Sequence, residues 1–372
     1  MGAAVDTLKM IPIAAPQIGD EERRAVLEVL DSGQLAQGPV VEAFEREFAE
    51  WCGVANAVAV ANGTAALHLL MLAHGIGEGD EVITSPFTFV ASPNAALFVG
   101  ARPVFVDIED ETYCLDPAKV EAAITPRTRA IMPVDLYGQA AAIAELREIA
   151  DRHGILLIED AAQAHGAEID GVKAGGFGVS AAFSFYPTKN ITTAEGGMVT
   201  TPDDGVAARV RLLREHGAPE RYRHTILGYN FRLTDLAAAI GRAQLRKLDR
   251  FNETRRRNAA TITAGLRGLD GIKLPVERQG YRHVYHQYTV LVEKNRGGVQ
   301  KRLRELGVGT AVHYPIPVHR QPLYLDLGYD SVSMPVSERV AEQVLSLPVH
   351  PGLKDADLTR IVGAVREAVT GA

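Results

Sequence analysis

Cysteine is scarce in this chain of 372 residues, which contains only Cys52 and Cys114. Two thiols are too few for a disulfide framework or a cysteine zinc cluster, and they fit a reducing cytoplasm. No apolar run reaches the roughly 18 residues of a membrane-spanning helix. Residues 1–16 also lack the basic start and apolar centre of a signal peptide. We therefore expect a cytoplasmic protein with no membrane partner.

Positive charge is in deficit, because 39 Lys and Arg residues stand against 46 Asp and Glu residues, a formal net charge of −7. A non-specific nucleic-acid surface needs a basic excess, so we expect no nucleic-acid partner. The densest basic run, within residues 251–262, lies on a helical pattern and is interpreted as a solvated helix face. The remaining composition, with 47% hydrophobic and 23% charged residues, is typical of a globular protein.

Short apolar runs alternate with helical patterns through the first two thirds of the chain. Helices over residues 63–75 and 141–154 lie between some of these runs. This alternation predicts an α/β fold with a mostly parallel, doubly wound sheet, and strands this apolar are buried on both faces. The predicted strands cover residues 56–61, 81–85, 102–108, 129–137, 154–160, 181–186 and 196–201.

The chain is longer than one core usually supports, so we expect two domains. Two helices within residues 20–52 are predicted to end at Gly33 and Gly53. A long helical stretch over 228–250 precedes a restart of the pattern. The restart comprises strands at 286–292 and 309–314, and helices at 298–307, near 336–346 and at 355–369. We assign 10–249 to a large domain with an N-terminal helical segment and 250–372 to a smaller C-terminal α/β domain.

Three features follow predicted strands and point to chemistry. Gly63 and Thr64 open a helix, whose N–H groups and positive end form a phosphate site, or else a plain capped turn. Asp160 ends an apolar strand, where open α/β sheets bind ligands, although a carboxylate there can also cap a loop. Lys189 lies in the stretch SFYPTKN between small and apolar segments. Taken alone, it is an ordinary loop lysine.

Other sites are disfavoured by their spacing. The glycines of 75–80 follow a helix and precede a strand, which is the reverse of a dinucleotide-binding turn. His283 and His286 lead into a strand that would point them to opposite faces, so we expect no metal site. The chain contains no G-x-S-x-G nucleophile elbow for acyl transfer.

Together, the phosphate turn, the carboxylate and the lysine match the needs of pyridoxal 5′-phosphate. Its aldehyde bonds a lysine amine as a Schiff base, and its pyridine nitrogen needs a carboxylate partner to stay protonated. Its phosphate needs a helix N-terminus and hydroxyl groups. The sequence therefore predicts a pyridoxal-phosphate site around Lys189 and Asp160.

The motifs NGTAALHLL, EVITSPFTFVASPNA, IEDAAQAHGA, FSFYPTKN, GYNFRLTDLAAAIGRAQL and HYPIPVHRQ resemble those of the DegT family of sugar-nucleotide aminotransferases. The resemblance runs from about residue 11 almost to the C-terminus. It implies the aspartate-aminotransferase-like fold of type I pyridoxal-phosphate enzymes, with a seven-stranded sheet in the large domain. It also implies a cytoplasmic homodimer with shared active sites.

The resemblance assigns roles by position. Lys189 matches the lysine that bonds the cofactor and Asp160 the partner of the pyridine nitrogen, and both are the expected catalytic residues. Asn230 is expected to reach the phosphate of the partner subunit's site. The other expected cofactor contacts are Gly63, Thr64, Phe89, Gln163 and Ser184. The expected substrate contacts are Arg232, His313, Tyr314 and His319.

The resemblance also implies the reaction, a ping-pong transamination from L-glutamate to a nucleotide-linked keto sugar in amino-sugar biosynthesis. The segment 228–245 is more similar to relatives that aminate C4 of 4-keto-6-deoxyhexoses than to those acting at C3. A 4-keto pentose, a C3-keto sugar or a keto-cyclitol are the alternative substrates. Alternative functions are a pyridoxal-phosphate dehydratase and a non-catalytic regulator. Lys189 favours transamination, since dehydratase relatives carry histidine there.

Overall fold

A computed structural model describes residues 9–371 of the chain. No helix in that range is both long and apolar enough to span a bilayer. The helices are, in chain order, α1 Asp20–Ser32, α2 Pro39–Cys52, α3 Gly63–Ala73, α4 Ala91–Phe98, α5 Pro117–Val120, α6 Ile143–His153, α7 Asp204–Arg214, α8 Asp235–Leu245, α9 Leu248–Leu266, α10 Arg296–Glu305, α11 Pro322–Tyr324, α12 Pro335–Gln343 and α13 Asp355–Thr370.

The strands form one large and two small sheets. In chain order they are β1 Asn56–Val60, β2 Glu81–Thr84, β3 Arg102–Phe105, β4 Thr128–Met132, β5 Leu156–Asp160, β6 Glu168–Ile169, β7 Val172–Lys173, β8 Ser180–Ser184, β9 Gly197–Thr201, β10 Ile272–Lys273, β11 Tyr281–Arg282, β12 Tyr288–Val292 and β13 Val344–Leu347.

The large sheet has seven strands in the order β1-β9-β8-β5-β4-β2-β3, and β9 runs antiparallel to both of its neighbours. The other pairs are parallel. The seven strands predicted between residues 56 and 201 all lie in this sheet, so the predicted fold class is confirmed. Because β1, β5 and β8 run in the same direction, Val60, Asp160 and Ser184 end at the same edge. This edge is where open α/β sheets bind ligands.

Burial on both faces explains why the strands were recognisable. Every residue of β2 and β9 is buried, and so are four of the five residues in β1 and β5. The covering helices supply the rest of the core, and α3 buries seven of its eleven residues in a continuous run from Ala65 to Met71. Such a helix is held by packing on all sides and lacks a solvent-facing polar stripe.

Both predicted helix ends in the N-terminal segment are confirmed. Gly33 and Gly53 follow α1 and α2 with φ values of 72° and 75°, in the left-handed region that glycine adopts without a side-chain clash. The long helix predicted over 228–250 is wrong. Thr234 caps α8, and a second helix begins at Leu248.

The backbone of the segment before α8 bonds to distant parts of the chain instead of forming helical hydrogen bonds, which explains the error. Tyr229 N–H donates to Leu213 O at 2.7 Å, and Ala61 N–H donates to Phe231 O at 2.8 Å. A strand predicted over 309–314 is also wrong, since only a single bridge joins Ala311 to Ser346. The helix predicted near 336–346 ends at Gln343, where β13 begins.

The C-terminal region has its own antiparallel sheet in the order β10-β12-β13, packed with α9, α10 and α13. It is tied to the rest of the chain by Asp107, whose carboxylate accepts hydrogen bonds from the backbone N–H groups of Val336 and Ser337 at 2.9 Å. Helix α9 runs through the division predicted at 249/250. We keep the two-domain division as a proposal.

Asp235 at the start of α8 holds the N-terminus of another helix. Its buried carboxylate accepts hydrogen bonds from Gly38, Val40 and Val41 N–H at 2.9, 3.3 and 2.9 Å. These donors belong to the first turn of α2, which has no partners for them within the helix. The contact therefore fixes α2 against α8.

We predict that Asp235→Ala lowers the free energy of unfolding by about 2–3 kcal/mol, because it leaves those N–H groups buried without an acceptor. Chemical denaturation followed by far-ultraviolet circular dichroism measures this loss. Asp31→Ala, at an exposed position on α1, is the matched control and should change stability by less than about 0.5 kcal/mol. Equal effects of the two substitutions would contradict the capping role.

Candidate active site

Lys189 lies in the turn that follows β8, where its backbone N–H donates to Tyr186 O at 2.9 Å. The residue is half-buried, and its amine makes no hydrogen bond or ion pair with any of residues 9–371. Burial lowers the pKa of Lys189 to about 8, and the negative charge of Asp160 opposes that shift. The site therefore disfavours the protonated form of the amine, and the charge of Asp160 only partly offsets this.

Asp160 is buried at the end of β5. One carboxylate oxygen accepts a hydrogen bond from Ser92 Oγ at 2.6 Å, and the other accepts one from Ala162 N–H at 3.1 Å. Burial raises the pKa of Asp160, whereas these two donors and the charge of Lys189 act in the opposite direction. The result is an oriented carboxyl group with a basicity above that of an exposed aspartate.

Gln163 connects Asp160's strand to the C-terminal region. Its Oε1 accepts a hydrogen bond from Tyr137 N–H at 2.9 Å, and its Nε2 donates to the Tyr314 hydroxyl at 3.1 Å. Tyr314 in turn lies beside Phe89, with 6.2 Å between the ring centroids. Phe89 is 57% exposed. An aromatic ring this exposed, at the edge that carries Asp160, is suited to cover a flat ligand.

The predicted phosphate turn is built around close contact between Gly63 and Ser184. Val60 at the end of β1 and Ser184 at the end of β8 are both register partners of Gly197 in β9. Asn62 caps α3 by accepting a hydrogen bond from Ala65 N–H at 2.8 Å. A Cβ on Gly63 would lie 2.7 Å from Ser184 Cβ. Helix α3 therefore presents its positive end beside the Ser184 hydroxyl, which suits an anionic phosphate.

His313 and Tyr314 are brought to this site as predicted from the sequence. His313 Nδ1 lies 3.0 Å from Ser346 Oγ. Burial, reinforced by the charge of Lys189, lowers the pKa of His313 to about 4. The ring is therefore neutral near pH 7, and it can take part in hydrogen bonds without adding positive charge.

His319 does not join this group. Its side chain has no exposed surface, and its Nε2 lies 2.9 Å from Glu338 Oε1. Its ring centroid lies 6.1 Å from that of Phe105. Burial between Glu338 and an aromatic cluster leaves His319 no surface for contacting a substrate. Its role is to hold the segment around residue 319 against α12.

Asn230 is exposed and Arg232 half-buried, and both precede α8. Asn230 forms an isolated antiparallel bridge with Glu215. Thr64 is half-buried in the first turn of α3. The expected contact of Asn230 with a partner subunit's cofactor and that of Arg232 with substrate stay predictions.

Ser92 and Tyr137 are site residues that sequence reasoning missed. Ser92 lies three residues after Phe89 in the motif EVITSPFTFVASPNA, and its contact with Asp160 depends on how α4 packs. Tyr137 holds Gln163 through a backbone N–H. A backbone donor leaves no signal in side-chain identity, so only the three-dimensional structure reveals it.

Comparison with known proteins decides the family. Residues 16–366 match the DegT/DnrJ/EryC1/StrS aminotransferase family. The chain belongs to this family. The resemblance seen in its motifs and the expected enzyme class, a sugar aminotransferase, are thereby confirmed, and the aminotransferases of this family use pyridoxal phosphate.

Individual relatives align with nearly the whole chain. A dTDP-3-amino-3,4,6-trideoxy-α-D-glucose transaminase from Streptomyces venezuelae is 44% identical, covering 95% of this chain and 93% of the relative. A GDP-perosamine synthase from Caulobacter vibrioides is 42% identical, covering 97% and 99%. The crystal structure of S. venezuelae DesV with a ketimine intermediate superposes with a TM-score of 0.92 at 45% identity, covering 94% of each chain.

We predict that Gly63→Ala weakens pyridoxal-phosphate binding by about tenfold or more, because the added Cβ forces α3 away from Ser184. Titration of apoprotein with cofactor, followed by absorbance, gives the dissociation constant. Gly363→Ala in α13 is the matched control, since a Cβ there meets nothing within 4 Å. Unchanged affinity in a folded Gly63→Ala protein would contradict the assignment of the phosphate site.

Proposed function

We propose that this protein transfers the amino group of L-glutamate to a nucleotide-linked keto sugar with pyridoxal phosphate as cofactor. The observation that carries the proposal is the convergence of Lys189, Asp160 and the α3 phosphate turn at one sheet edge. Family membership supports the amino-transfer chemistry. The names of the relatives above support a nucleotide-linked sugar as acceptor.

The residues present fit the cofactor. Gly63, Thr64 and Ser184 would hold its phosphate, Asp160 its ring nitrogen and Gln163 its ring hydroxyl, with Phe89 against the ring face. When bound, pyridoxal phosphate supplies a protonated ring that withdraws electrons from the carbon bearing the amino group. The observations that support this fit are the 57% exposure of Phe89 and a Lys189 amine with no partner among residues 9–371.

Lys189 has two tasks that require an amine. It would hold the cofactor through its aldehyde, and as a free amine it would carry a proton to and from the reacting carbon. Its pKa of about 8 suits both tasks, since the neutral amine is appreciably populated near neutral pH. Arginine could do neither, because its guanidinium group stays protonated.

Asp160 keeps the proton on the ring nitrogen. A carboxylate of raised pKa would accept a stronger hydrogen bond from the protonated nitrogen, and Ser92 with Ala162 N–H fixes the direction of that carboxylate. The neutral imidazole of His313 and the Tyr314 hydroxyl then line the side of the site that belongs to the C-terminal region. These groups can bind hydroxyls of a sugar without competing with Lys189 for protons.

For the acceptor we propose a 4-keto-6-deoxyhexose, on the pattern of residues 228–245. Relatives named for a 3-amino sugar and for perosamine match to similar extents, so the test includes keto groups at both positions. We further propose a homodimer in which Asn230 and Arg232 reach the partner's site from the segment before α8. Tyr222 and Leu227 lie in the same segment between α7 and α8, and they are 81% and 83% exposed.

We predict that borohydride treatment of the cofactor-loaded protein fixes the cofactor to Lys189, and that Lys189→Arg abolishes this labelling and lowers turnover by more than about a hundredfold. Peptide mass spectrometry locates the label. Lys301→Arg, at an exposed position on α10, should retain both label and activity. Labelling at another lysine would refute the assignment.

A panel of dTDP-, UDP- and GDP-linked 3-keto and 4-keto sugars, each incubated with glutamate, tests the reaction. We predict 2-oxoglutarate and amino sugar in equal amounts for a 4-keto-6-deoxyhexose, read by mass spectrometry. A deoxygenated sugar formed without 2-oxoglutarate would establish the dehydratase instead. A protein that binds no pyridoxal phosphate but retards a specific DNA fragment would establish the regulator.

A further inference from the structure

Asp135 and Glu159 are two further acidic residues next to Asp160, one in the segment that pairs with the end of β5 and one in β5 itself. Asp135 and Glu159 are both completely buried. Glu159 precedes Asp160 in β5, and because side chains alternate along a strand it points to the opposite face of the sheet. Buried acidic groups are rare unless they are paired, so their environment calls for an explanation.

Asp135 is coupled to Asp160 through the backbone. It follows the end of β4, and its N–H donates to Asp160 O at 3.0 Å, while Asp160 N–H donates to Pro133 O at 3.0 Å. These two hydrogen bonds continue the β4–β5 pairing to the residue that would hold the pyridine nitrogen. Any displacement of Asp135 is therefore transmitted to Asp160.

Each acidic side chain also holds a neighbouring loop. Asp135 Oδ1 accepts a hydrogen bond from Ala141 N–H at 2.8 Å, before α6. Both carboxyl oxygens of Glu159 lie 3.1 Å from Gly175 N. The pair thus joins two loops and two strand ends beneath the candidate active site.

The parallel bridge between Val134 and Asp160 places Asp135 and Glu159 one residue to either side of the bridged pair, on the same face of the sheet. Within residues 9–371, Asp135 Oδ2 is buried and receives no hydrogen bond from any amide, amine or hydroxyl group. A hydrogen bond between two carboxyl groups requires a proton on one of them, because ionised carboxylates only accept. A proton on Glu159 would supply the donor that Asp135 Oδ2 lacks.

The negative charges around the pair raise the pKa of its carboxyl groups. The negative charge of Asp160, on the opposite face, raises the pKa of Asp135 and Glu159, and neither group forms an ion pair within residues 9–371. The thiols of Cys114 and Cys52 face Asp135 and Glu159, and burial raises the pKa of both thiols, so they are uncharged at neutral pH. Lys173 and Glu109 act on these thiols from further out. Nothing there balances two adjacent negative charges.

We propose that Asp135 and Glu159 share a single proton, and that this singly charged pair is a positioning element that fixes Asp160 at the end of β5. Burial raises the pKa of Glu159 well above its usual value, and the charge of Asp135 adds to that shift. The proton therefore stays bound at pH values where an exposed glutamate is already ionised. The second part of the proposal, the positioning of Asp160 for the cofactor, rests on the proposed function.

Infrared spectroscopy of apoprotein at pH 8 tests for the proton, since a protonated carboxyl absorbs apart from ionised ones. We expect a protonated-carboxyl band that disappears in both Asp135→Asn and Glu159→Gln. Each substitution keeps one negative charge and one hydrogen bond, so the proteins should fold. The band should persist in Asp160→Asn and in the exposed control Glu148→Gln. No band in the wild type, or a band lost in only one or neither amide variant, would overturn the proposal.

The pH dependence of stability gives a second test. The unfolded carboxyls ionise near pH 4, whereas the folded pair keeps its proton, so stability is full below that pH and falls as the pH rises toward the folded-state pKa. Asp135→Asn removes this proton uptake. We expect the Tm difference, Asp135→Asn minus wild type, to become more positive as the pH rises from 5 to 8. Calorimetry of the apoproteins measures it. A pH-independent difference would contradict the shared proton.

Cofactor binding tests the positioning of Asp160. Asp135→Ala leaves Glu159 without its partner, and we expect pyridoxal-phosphate affinity to fall by about tenfold or more. Asp135→Asn, which restores the hydrogen bond, should stay within about twofold of wild type. Wild-type affinity in folded Asp135→Ala would refute the positioning role. If wild-type protein bound no cofactor, the proposed function would fail while the infrared result still decided the shared proton.

Discussion

The electrostatic interaction between Lys189 and Asp160 is the one on which the proposed chemistry of this protein depends. Both groups are withdrawn from water, which penalises the charged forms of each, and each is partly stabilised by the charge of the other. The balance leaves an amine that releases its proton easily and a carboxyl that binds a proton more firmly than usual. Those opposite requirements belong to one cofactor, which needs a nucleophilic amine at its aldehyde and a firm acceptor at its ring nitrogen.

The direction and register of the strands bring Lys189 and Asp160 to the same edge of the sheet. Asp160 and Ala182 are register partners in β5 and β8, and Val60 and Ser184 both pair with Gly197. A Cβ on Gly197 would lie 2.4 Å from Asn62 O, so a residue larger than glycine there would displace the phosphate turn. The same hydrogen bonds that hold the strands together therefore also set the separation between the phosphate turn, the carboxylate and the lysine.

Much of this arrangement could be predicted from the sequence, because buried parallel strands leave continuous apolar runs. The runs at 56–61 and 154–160 were recognisable for that reason, and so were Asp160 and Lys189 at or after strand ends. Strand β13 could not be predicted, because its apolar residues continue the periodicity of α12. The change from helix to strand at Val344 leaves no mark in the composition. The resemblance of HYPIPVHRQ to family motifs singles out His319, but a motif does not show that its ring has no exposed surface.

Titration of the Lys189 amine in apoprotein tests the central claim most directly. The rate of its modification by an amine-reactive reagent, followed by mass spectrometry across pH, reports the fraction of neutral amine. The account predicts a midpoint near a pKa of about 8, and a still lower pKa in Asp160→Asn, where the stabilising charge is lost. A midpoint at the ordinary lysine pKa of roughly 10.4, unchanged by Asp160→Asn, would contradict it.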